Sequence, residues 1–547
     1  MIQHQELDVI VVGAGLAGLY QLHKLRELGL RAVIVEAADD VGGTWYWNRY
    51  PGARCDVESM YYSYSFSREL EQEWTWSEKY PTQPEILRYI NNVTERFDLR
   101  SHIIFGTRVL TATYDERARR WRLTTSRGAD LDAQFLIMAT GCLSAAKPLE
   151  LPGEDRFRGP SYHTGHWPHE GVDFTGLRVG VVGTGSSGIQ IIPILAEHAA
   201  ALTVFQRTPN FSMPAKNRPL SQSEVQESKR TYPALRRRQL ASSFGVPVTP
   251  GTRSALEVPQ QERDLTYQTA WDQGSLIALR MAYTDIGTSL AANDTAAEFV
   301  RERIREIVED SDVAETLSPR NYPYGTKRPC LDTGYYDTFN REHVRLVDLR
   351  KTPLVEITER GLRTSEEEHE LDAIVFATGF DAITGALTAI DIRGRDGISL
   401  AEKWSEGPRT YLGLAVAGFP NFFTITGPLS PSVLSNMVVS IEQHVDWITD
   451  LLATLRQRDA VEVEATATAE DYWVDHVADI GSRTLFPRAE SWYLGANVPG
   501  KARVLMAYVG GIAAYRQRCD EVASENYRGF HIGSDPHAAS ATGTVKP

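Results

Sequence analysis

The sequence predicts an α/β protein made of two parallel-sheet units with a helical insertion, and three observations carry that reading. A β-branched strand runs straight into a G-x-G-x-x-G run and a helical pattern at Asp8–Leu28, and the same succession recurs at Leu177–Leu195. Two short apolar runs, Phe135–Met138 and Ile374–Phe376, each end in Ala-Thr-Gly. Between Pro219 and Pro319 the strand signal disappears and charged helical patterns take over. A chain of 547 residues needs several domains of roughly 100–200 residues each.

In the first unit, Asp8–Val12 is apolar and β-branched enough for a central parallel strand. Gly13, Gly15 and Gly18 then allow a tight turn, close approach of backbone to a pyrophosphate, and close packing of helix on strand. A second strand, Arg31–Val35, ends at Glu36, where an acidic side chain accepts hydrogen bonds from a ribose. This is a Rossmann-like βαβ unit that binds a dinucleotide. In the second unit Gly183-Thr184-Gly185-Ser186-Ser187-Gly188 follows Leu177–Val182, and the strand Leu202–Phe205 is followed by Gln206-Arg207-Thr208 instead of an acid. An arginine and a hydroxyl suit a 2′-phosphate that an acid would repel, so this unit reads as selective for NADP over NAD.

The Ala-Thr-Gly strands close the two units. The insertion interrupts the second, with Phe299–Asp310 expected as a solvated helix. After Ala382 the chain is expected to return to the first unit, with Ser440–Leu455 as a further helix. The domain plan is therefore 1–150 and 382–547 for the first dinucleotide domain, 151–218 and 331–381 for the second, and 219–330 for the insertion. The run Ser534–Pro547 is small and polar and reads as a frayed tail.

Composition removes several classes of function. Hydrophobic residues at 42% and charged residues at 23% supply a core and exclude disorder. A net charge of −14 argues against a sequence-independent grip on nucleic acid or on an anionic membrane. No stretch nears the roughly 20 apolar residues of a membrane-spanning helix. Cys55, Cys142, Cys330 and Cys519 lie far apart with no CxxC pair, so no disulfide framework, zinc ribbon or redox-active dithiol is expected. No histidine has cysteine or carboxylate neighbours at metal-ligand spacing, so no metal is expected either. The N-terminus lacks a basic region and a cleavage site. These features fit a cytoplasmic protein acting on small molecules, as a monomer or small homo-oligomer.

Two further patterns narrow the reading. Phe157 through Pro168 has the form FxGxxxHxxxWP, carried by Phe157, Gly159, His163 and Trp167, just ahead of the second glycine fingerprint. Gly42-Gly43-Thr44-Trp45 through Tyr50-Pro51-Gly52 to Asp56 has the form GGxWxxxxYPGxxxD. With both patterns and both fingerprints in this order, the sequence resembles the single-component Baeyer-Villiger monooxygenases over most of its length. Gly42–Asp56, Gly427–Met437 and Ser491–Gly500 are most similar to the phenylacetone, steroid and cyclohexanone members. Taken alone, His163 and Trp167 are four apart and fit a stacked pair anchoring the passage between domains, with a part in cofactor motion as the alternative. His166 and His169 are expected to face solvent.

The resemblance implies a two-dinucleotide-binding-domain flavoprotein, FAD in the first domain and NADPH in the second. It implies insertion of one oxygen atom of O₂ beside a ketone carbonyl, giving an ester or lactone through a flavin C4a-peroxide, with NADP⁺ retained. Such chemistry requires a fixed cation beside the peroxide. The resemblance puts Arg328, in Gly325–Pro329, in that role, with Asp56 as its carboxylate partner and Lys327 helping to hold the 2′-phosphate. Arginine suits the place because it stays protonated and donates a planar fork. FAD contacts are implied for Gly13, Gly15, Gly18, Glu36, Thr44, Trp45, Asp56, Tyr62, Val109 and Met437. NADP contacts are implied for Gly183, Thr184, Gly185, Ser186, Ser187, Gly188, Gln190, Arg207, Thr208, Lys327, Arg328 and Trp492. Leu429, Ser430, Pro431 and Ser432 correspond to a substrate loop, and Ser491–Gly500 to a mobile lid over NADP, which its glycine and proline suit. Two alternatives stay open at this point: an amine- or sulfide-oxygenating flavin monooxygenase, and a non-oxygenating NADPH oxidase or redox sensor.

Overall fold

The computed structural model describes residues 6–534 apart from 129, 148 and 149. The strand Leu7–Val12 lies inside the first sheet, parallel to Ala32–Val35 on one side and to Asp130–Met138 on the other. Its register sets Val9 between Ala32 and Phe135, and Val9, Ile10 and Val11 are wholly buried, as a β-branched strand covered on both faces requires. Beyond Asp130–Met138 the sheet continues as an antiparallel meander through Arg120–Thr125 and Val109–Asp115. Two later strands rejoin it: Asp391–Arg393 beside Val109–Asp115, and Phe422–Thr424 beside Leu136–Met138.

The second sheet has five parallel strands in the order Val344–Asp348, Ala201–Gln206, Arg178–Val182, Ala373–Phe376, Ser161–His163. In both sheets the glycine fingerprint leaves the C-terminal end of an inner strand. The helices Leu16–Glu27 and Ser186–His198 start directly after the middle glycine. This is the arrangement of two Rossmann units.

The insertion contributes the helices Gln222–Ala241, Gln260–Gln273, Leu290–Ile307 and Ser311–Leu317. The helix expected at Phe299–Asp310 begins earlier and ends sooner. Ser289 Oγ accepts the Ala292 N–H and opens it on an alanine-rich turn with little apolar periodicity, while Asp310 caps a new helix by accepting from Asp312 and Val313. Tyr267, Phe299 and Val300 of these helices share a core with Val181, Ile192 and Phe211 of the second unit. In the C-terminal part the helix expected at Ser440–Leu455 runs over Met437–Gln457, capped by Asn436, and buries Val445, Ile448 and Leu452 against Leu19, Leu22 and Leu25. Of the expected tail, Ser534 closes the strand Phe530–Ser534, which pairs with Ala460–Ala465, and residues 535–547 lie outside the described residues. Among the described residues no helix is long and apolar enough to cross a membrane.

One buried acid on the Met437–Gln457 helix makes the fold sensitive to pH. The Glu442 carboxylate accepts the N–H groups of Ser65 and Phe66 at 2.6 and 3.1 Å and the Ser65 hydroxyl at 2.7 Å, and burial pushes its pKa up to about 7. Between its ordinary value and about 7 the folded protein holds a proton that the unfolded chain has released, so this group's contribution to stability falls as pH rises. Glu442→Gln keeps an acceptor for both N–H groups and a donor for Ser65 Oγ. It is expected to gain on the parent by about 1–3 kcal/mol as pH is raised from about 5 to about 7, read as the difference between their denaturation midpoints. A difference independent of pH would show that Glu442 does not titrate there.

Candidate functional site

The two fingerprints open into one cavity of 1430 Å³, lined from both sheets, the insertion and the C-terminal segment. Gly13 has φ +107°, and a Cβ there would lie 2.6 Å from the Ala139 carbonyl oxygen, while one on Gly18 would lie 1.9 Å from that of Gly13. The second unit repeats this: a Cβ on Gly188 would lie 2.1 Å from the Gly183 carbonyl oxygen. The middle glycines differ. A Cβ on Gly15 would have Gly43 Cα, at 3.5 Å, as its nearest neighbour, and one on Gly185 would meet nothing within 4 Å. The outer glycines are therefore demanded by the chain's own packing. The middle ones leave a gap facing the cavity at a helix N-terminus that no side chain caps. Free amides, the positive end of a helix and room for an anion fit a pyrophosphate in each unit.

Around the first gap, Glu36 is 5% exposed, and its carboxylate accepts the Ala14 N–H at 2.5 Å and the Ala38 N–H at 2.7 Å. Burial raises its pKa against those bonds, and the lone pairs left over border the cavity. Thr44, Trp45, Tyr62, Val109 and Met437 line the same space, with the Trp45 indole N–H donating to the Tyr62 oxygen at 3.1 Å.

Around the second gap stand Thr184, Ser186, Ser187, Arg207, Thr208, Lys327 and Trp492. The Thr184 hydroxyl donates to the Thr208 carbonyl at 3.1 Å, fixing the turn that carries Arg207. Burial, with Arg207 nearby, lowers the Lys327 pKa. Among the described residues neither cation has a carboxylate within ion-pair distance; Glu490 acts on Lys327 from beyond that distance and offsets only part of the lowering, which leaves both cations available to an anion. Gln190, expected at NADP, also borders the cavity, but its amide joins the two units: it accepts from the Tyr50 hydroxyl at 2.8 Å and donates to the Arg54 carbonyl at 3.0 Å.

Between the units Arg328 meets Asp56 in a two-point pair, Nε to Oδ2 at 2.7 Å and Nη2 to Oδ1 at 2.8 Å, while Nη1 donates to the Val433 carbonyl at 2.8 Å. Both side chains are 22% exposed. Burial works against the charge, but Asp56 outweighs it and holds the guanidinium pKa above its ordinary value. The result is a permanent, oriented cation on the wall of the cavity.

The loop Leu429–Ser432 does not present its side chains there. Leu429, Ser430 and Ser432 are buried behind the wall, where Leu429 N–H donates to Met506 and Tyr508 N–H donates to Ser430. Left-handed φ values of +67° at Leu429 and +44° at Ser432 turn the chain so that Thr426, Val433, Ser435 and Met437 face the cavity instead, beside Cys142 and Leu143. Of these, sequence reasoning had marked Met437 and missed the others.

His163 ends the edge strand Ser161–His163, so the helical stacked pair with Trp167 does not form. Its Nδ1 accepts the Gly165 N–H at 3.0 Å, its Nε2 lies 3.3 Å from the Thr378 hydroxyl, and burial lowers its pKa to about 4. Trp167 packs instead on Tyr162 and Phe174. Phe157 packs beside Leu371 and Ile374, and a Cβ on Gly159 would lie 2.4 Å from the Asp372 carbonyl oxygen. His166 and His169 are exposed, edge-on to Trp47 and Tyr46. The segment carrying Trp492 is tied down by Asn497 within it and by side chains that the motifs did not mark. Asn497 Nδ2 donates to the Phe380 carbonyl, Lys147 Nζ donates to the Asn497 carbonyl, and Lys501 pairs with Asp381.

Comparison with known proteins agrees with this geometry. Residues 10–240 match the family model described as pyridine nucleotide-disulphide oxidoreductase. A structure of oxidised steroid monooxygenase bound to NADP superposes with a TM-score of 0.93 at 51% identity, covering 97% of this chain and all of that one. An acetone monooxygenase (methyl acetate-forming) from Gordonia sp. (strain TY-5) is 42% identical over 96% of this chain and 99% of its own length. A Baeyer-Villiger monooxygenase from Pseudooceanicola batsensis is 42% identical over 95% of each chain. Paired with the two dinucleotide gaps and the Arg328–Asp56 pair between them, likeness along nearly the whole chain means that this protein belongs to the Baeyer-Villiger monooxygenases.

Proposed function

We propose that Arg328, held by Asp56, is the catalytic cation of an enzyme that inserts one oxygen atom of O₂ next to a ketone carbonyl, giving an ester or lactone at the expense of NADPH. The reaction class and the use of FAD and NADPH follow from family membership. The observation that carries the residue assignment is the two-point ion pair on the wall between the two gaps. Bound FAD and NADPH supply the redox chemistry and the activation of O₂.

The remaining roles belong to the chain. Segments 1–150 and 382–547 hold FAD, with Gly13–Gly18 and Glu36 at its pyrophosphate and ribose and Thr44, Trp45, Tyr62, Val109 and Met437 along its length. Segments 151–218 and 331–381 hold NADP, with Gly183–Gly188 at the pyrophosphate and Arg207, Thr208 and Lys327 at the 2′-phosphate. Arg328 supplies fixed positive charge where negative charge develops, and Asp56 keeps the fork oriented. Trp492 and its segment close the NADP side and exclude water, with Lys147, Asp381 and Lys501 as fasteners. Cys142, Leu143, Val433 and Met437 make that stretch of the wall apolar, which suits the carbon skeleton of a ketone. All four cysteines are free and buried, as suits a reducing cytoplasm.

Arg207→Ala tests the nucleotide assignment. Loss of a guanidinium from a phosphate site is expected to weaken NADPH by about 10–100-fold, at about 1.5–3 kcal/mol for a hydrogen bond to a charged group, while leaving NADH within about twofold. Steady-state KM values for the two nucleotides give the answer. Equal losses for both would remove Arg207 from the 2′-phosphate site.

A further inference from the structure

We infer that Tyr322 is a positioning residue that serves both cations of the site at once, its ring holding Lys327 for the 2′-phosphate and its hydroxyl setting the backbone of Arg328. This role rests on the proposed functions of Lys327 at the 2′-phosphate and of Arg328 as the catalytic cation. Tyr322 is 5% exposed and borders the cavity. Its ring lies under Lys327 Nζ, 4.9 Å from ammonium to centroid, and is itself fixed edge-on by Phe211 at 5.5 Å. Its hydroxyl donates toward the Pro209 carbonyl at 2.9 Å and lies 3.1 Å from Asn210 Oδ1. The amide of Asn210 then donates to the Arg328 carbonyl at 3.2 Å and to Cys330 Sγ at 3.1 Å.

This arrangement solves a difficulty peculiar to an anion site. A lysine steadied by a carboxylate would have its charge neutralised, and its hydrogen-bond donors occupied, before the phosphate arrived. A π face attracts the ammonium through its quadrupole without accepting those donors, so all three remain for the ligand. The hydroxyl of the same side chain meets the Pro209 carbonyl and the Asn210 amide oxygen. Through Asn210 the brace reaches Arg328 by its main chain, which leaves the guanidinium free to pair with Asp56.

Ring and hydroxyl can be separated by substitution. The probe for the ring is adenosine 2′,5′-bisphosphate set against 5′-AMP, titrated calorimetrically into the FAD-loaded protein, so the readout is binding and not turnover. Tyr322→Leu is expected to weaken the bisphosphate by about tenfold and 5′-AMP by no more than about twofold, since a partly desolvated cation–π contact is of that size. Tyr322→Phe, which keeps the ring, is expected to bind both as the parent does. It should instead consume more NADPH per molecule of ester formed, because the Asn210 amide that holds the Arg328 carbonyl has lost the hydroxyl beside its Oδ1. In a Lys327→Met background, Tyr322→Leu should have no further effect on the bisphosphate. If Lys327→Met itself fails to discriminate the two probes, the assignment of Lys327 to the 2′-phosphate falls, and the role of Tyr322 with it. If Lys327→Met discriminates but Tyr322→Leu does not, or if Tyr322→Phe keeps the parent's ratio of ester to NADPH, the positioning role of Tyr322 is overturned while the assignment of Lys327 stands.

Discussion

Arg328→Ala is expected to abolish ester formation while NADPH still bleaches the flavin. Removing one fixed donor from a preorganised charge site costs about 10²–10³ in rate, or roughly 2.7–4 kcal/mol. The loss should fall on oxygen transfer, where negative charge must be held beside the ketone, and not on hydride transfer, where none accumulates on oxygen. Arg328→Lys should recover little: a point charge on a flexible stem cannot make both contacts to Asp56 and a third to the Val433 carbonyl. The alanine variant also leaves the Asp56 carboxylate, 22% exposed, without its partner, so that carboxylate would itself oppose charge in the cavity. Product analysis by mass spectrometry beside stopped-flow absorbance separates the two half-reactions. An alanine variant that makes ester at near the parent's rate would remove Arg328 from the chemistry.

The contrast between Arg328 and its surroundings shows where the sequence was legible. Both Rossmann units could be read because their determinants are local: β-branched strands and glycines at fixed spacing recur within thirty or so residues of chain. Asp56 and Arg328 stand 272 residues apart, and only the resemblance joined them before the geometry did. The residues that face the cavity from this loop could not be counted off, because the chain at Leu429 and Ser432 passes through left-handed conformations that no alternation rule anticipates. Lys501 and Asp381 stand 120 residues apart and carry no local signal, and the fold puts them against each other. Gln190 shows a second pairing of this kind: it borders the cavity from the second fingerprint helix, and its amide also bridges to Tyr50 and Arg54 of the other unit. Short-range patterns report which ligand class a unit takes. Pairings between units, which set the chemistry, are made by folding.

Gly15→Val is expected to yield a folded protein without flavin. The backbone at Gly15, φ −81° and ψ −171°, is open to any residue, and an added Cβ would come no nearer to the protein than 3.5 Å from Gly43 Cα. Nothing in the chain forbids a Cβ here. What it would fill is the gap over the N-terminus of the helix Leu16–Glu27, where a pyrophosphate must approach the free amides. Overlap of about 1–3 kcal/mol, with lost access to the N–H groups on top, should weaken FAD by about 10²-fold or more. Gly18→Val is the control that separates ligand space from packing, since its Cβ would fall 1.9 Å from the Gly13 carbonyl oxygen and should disrupt the strand-to-helix turn whether or not flavin is present. The expected pattern is a colourless Gly15→Val protein with the parent's circular dichroism, and a Gly18→Val protein that is poorly folded. A yellow Gly15→Val protein with one flavin per chain would show that the pyrophosphate does not lie over Gly15, and the FAD site would have to be sought elsewhere along the cavity.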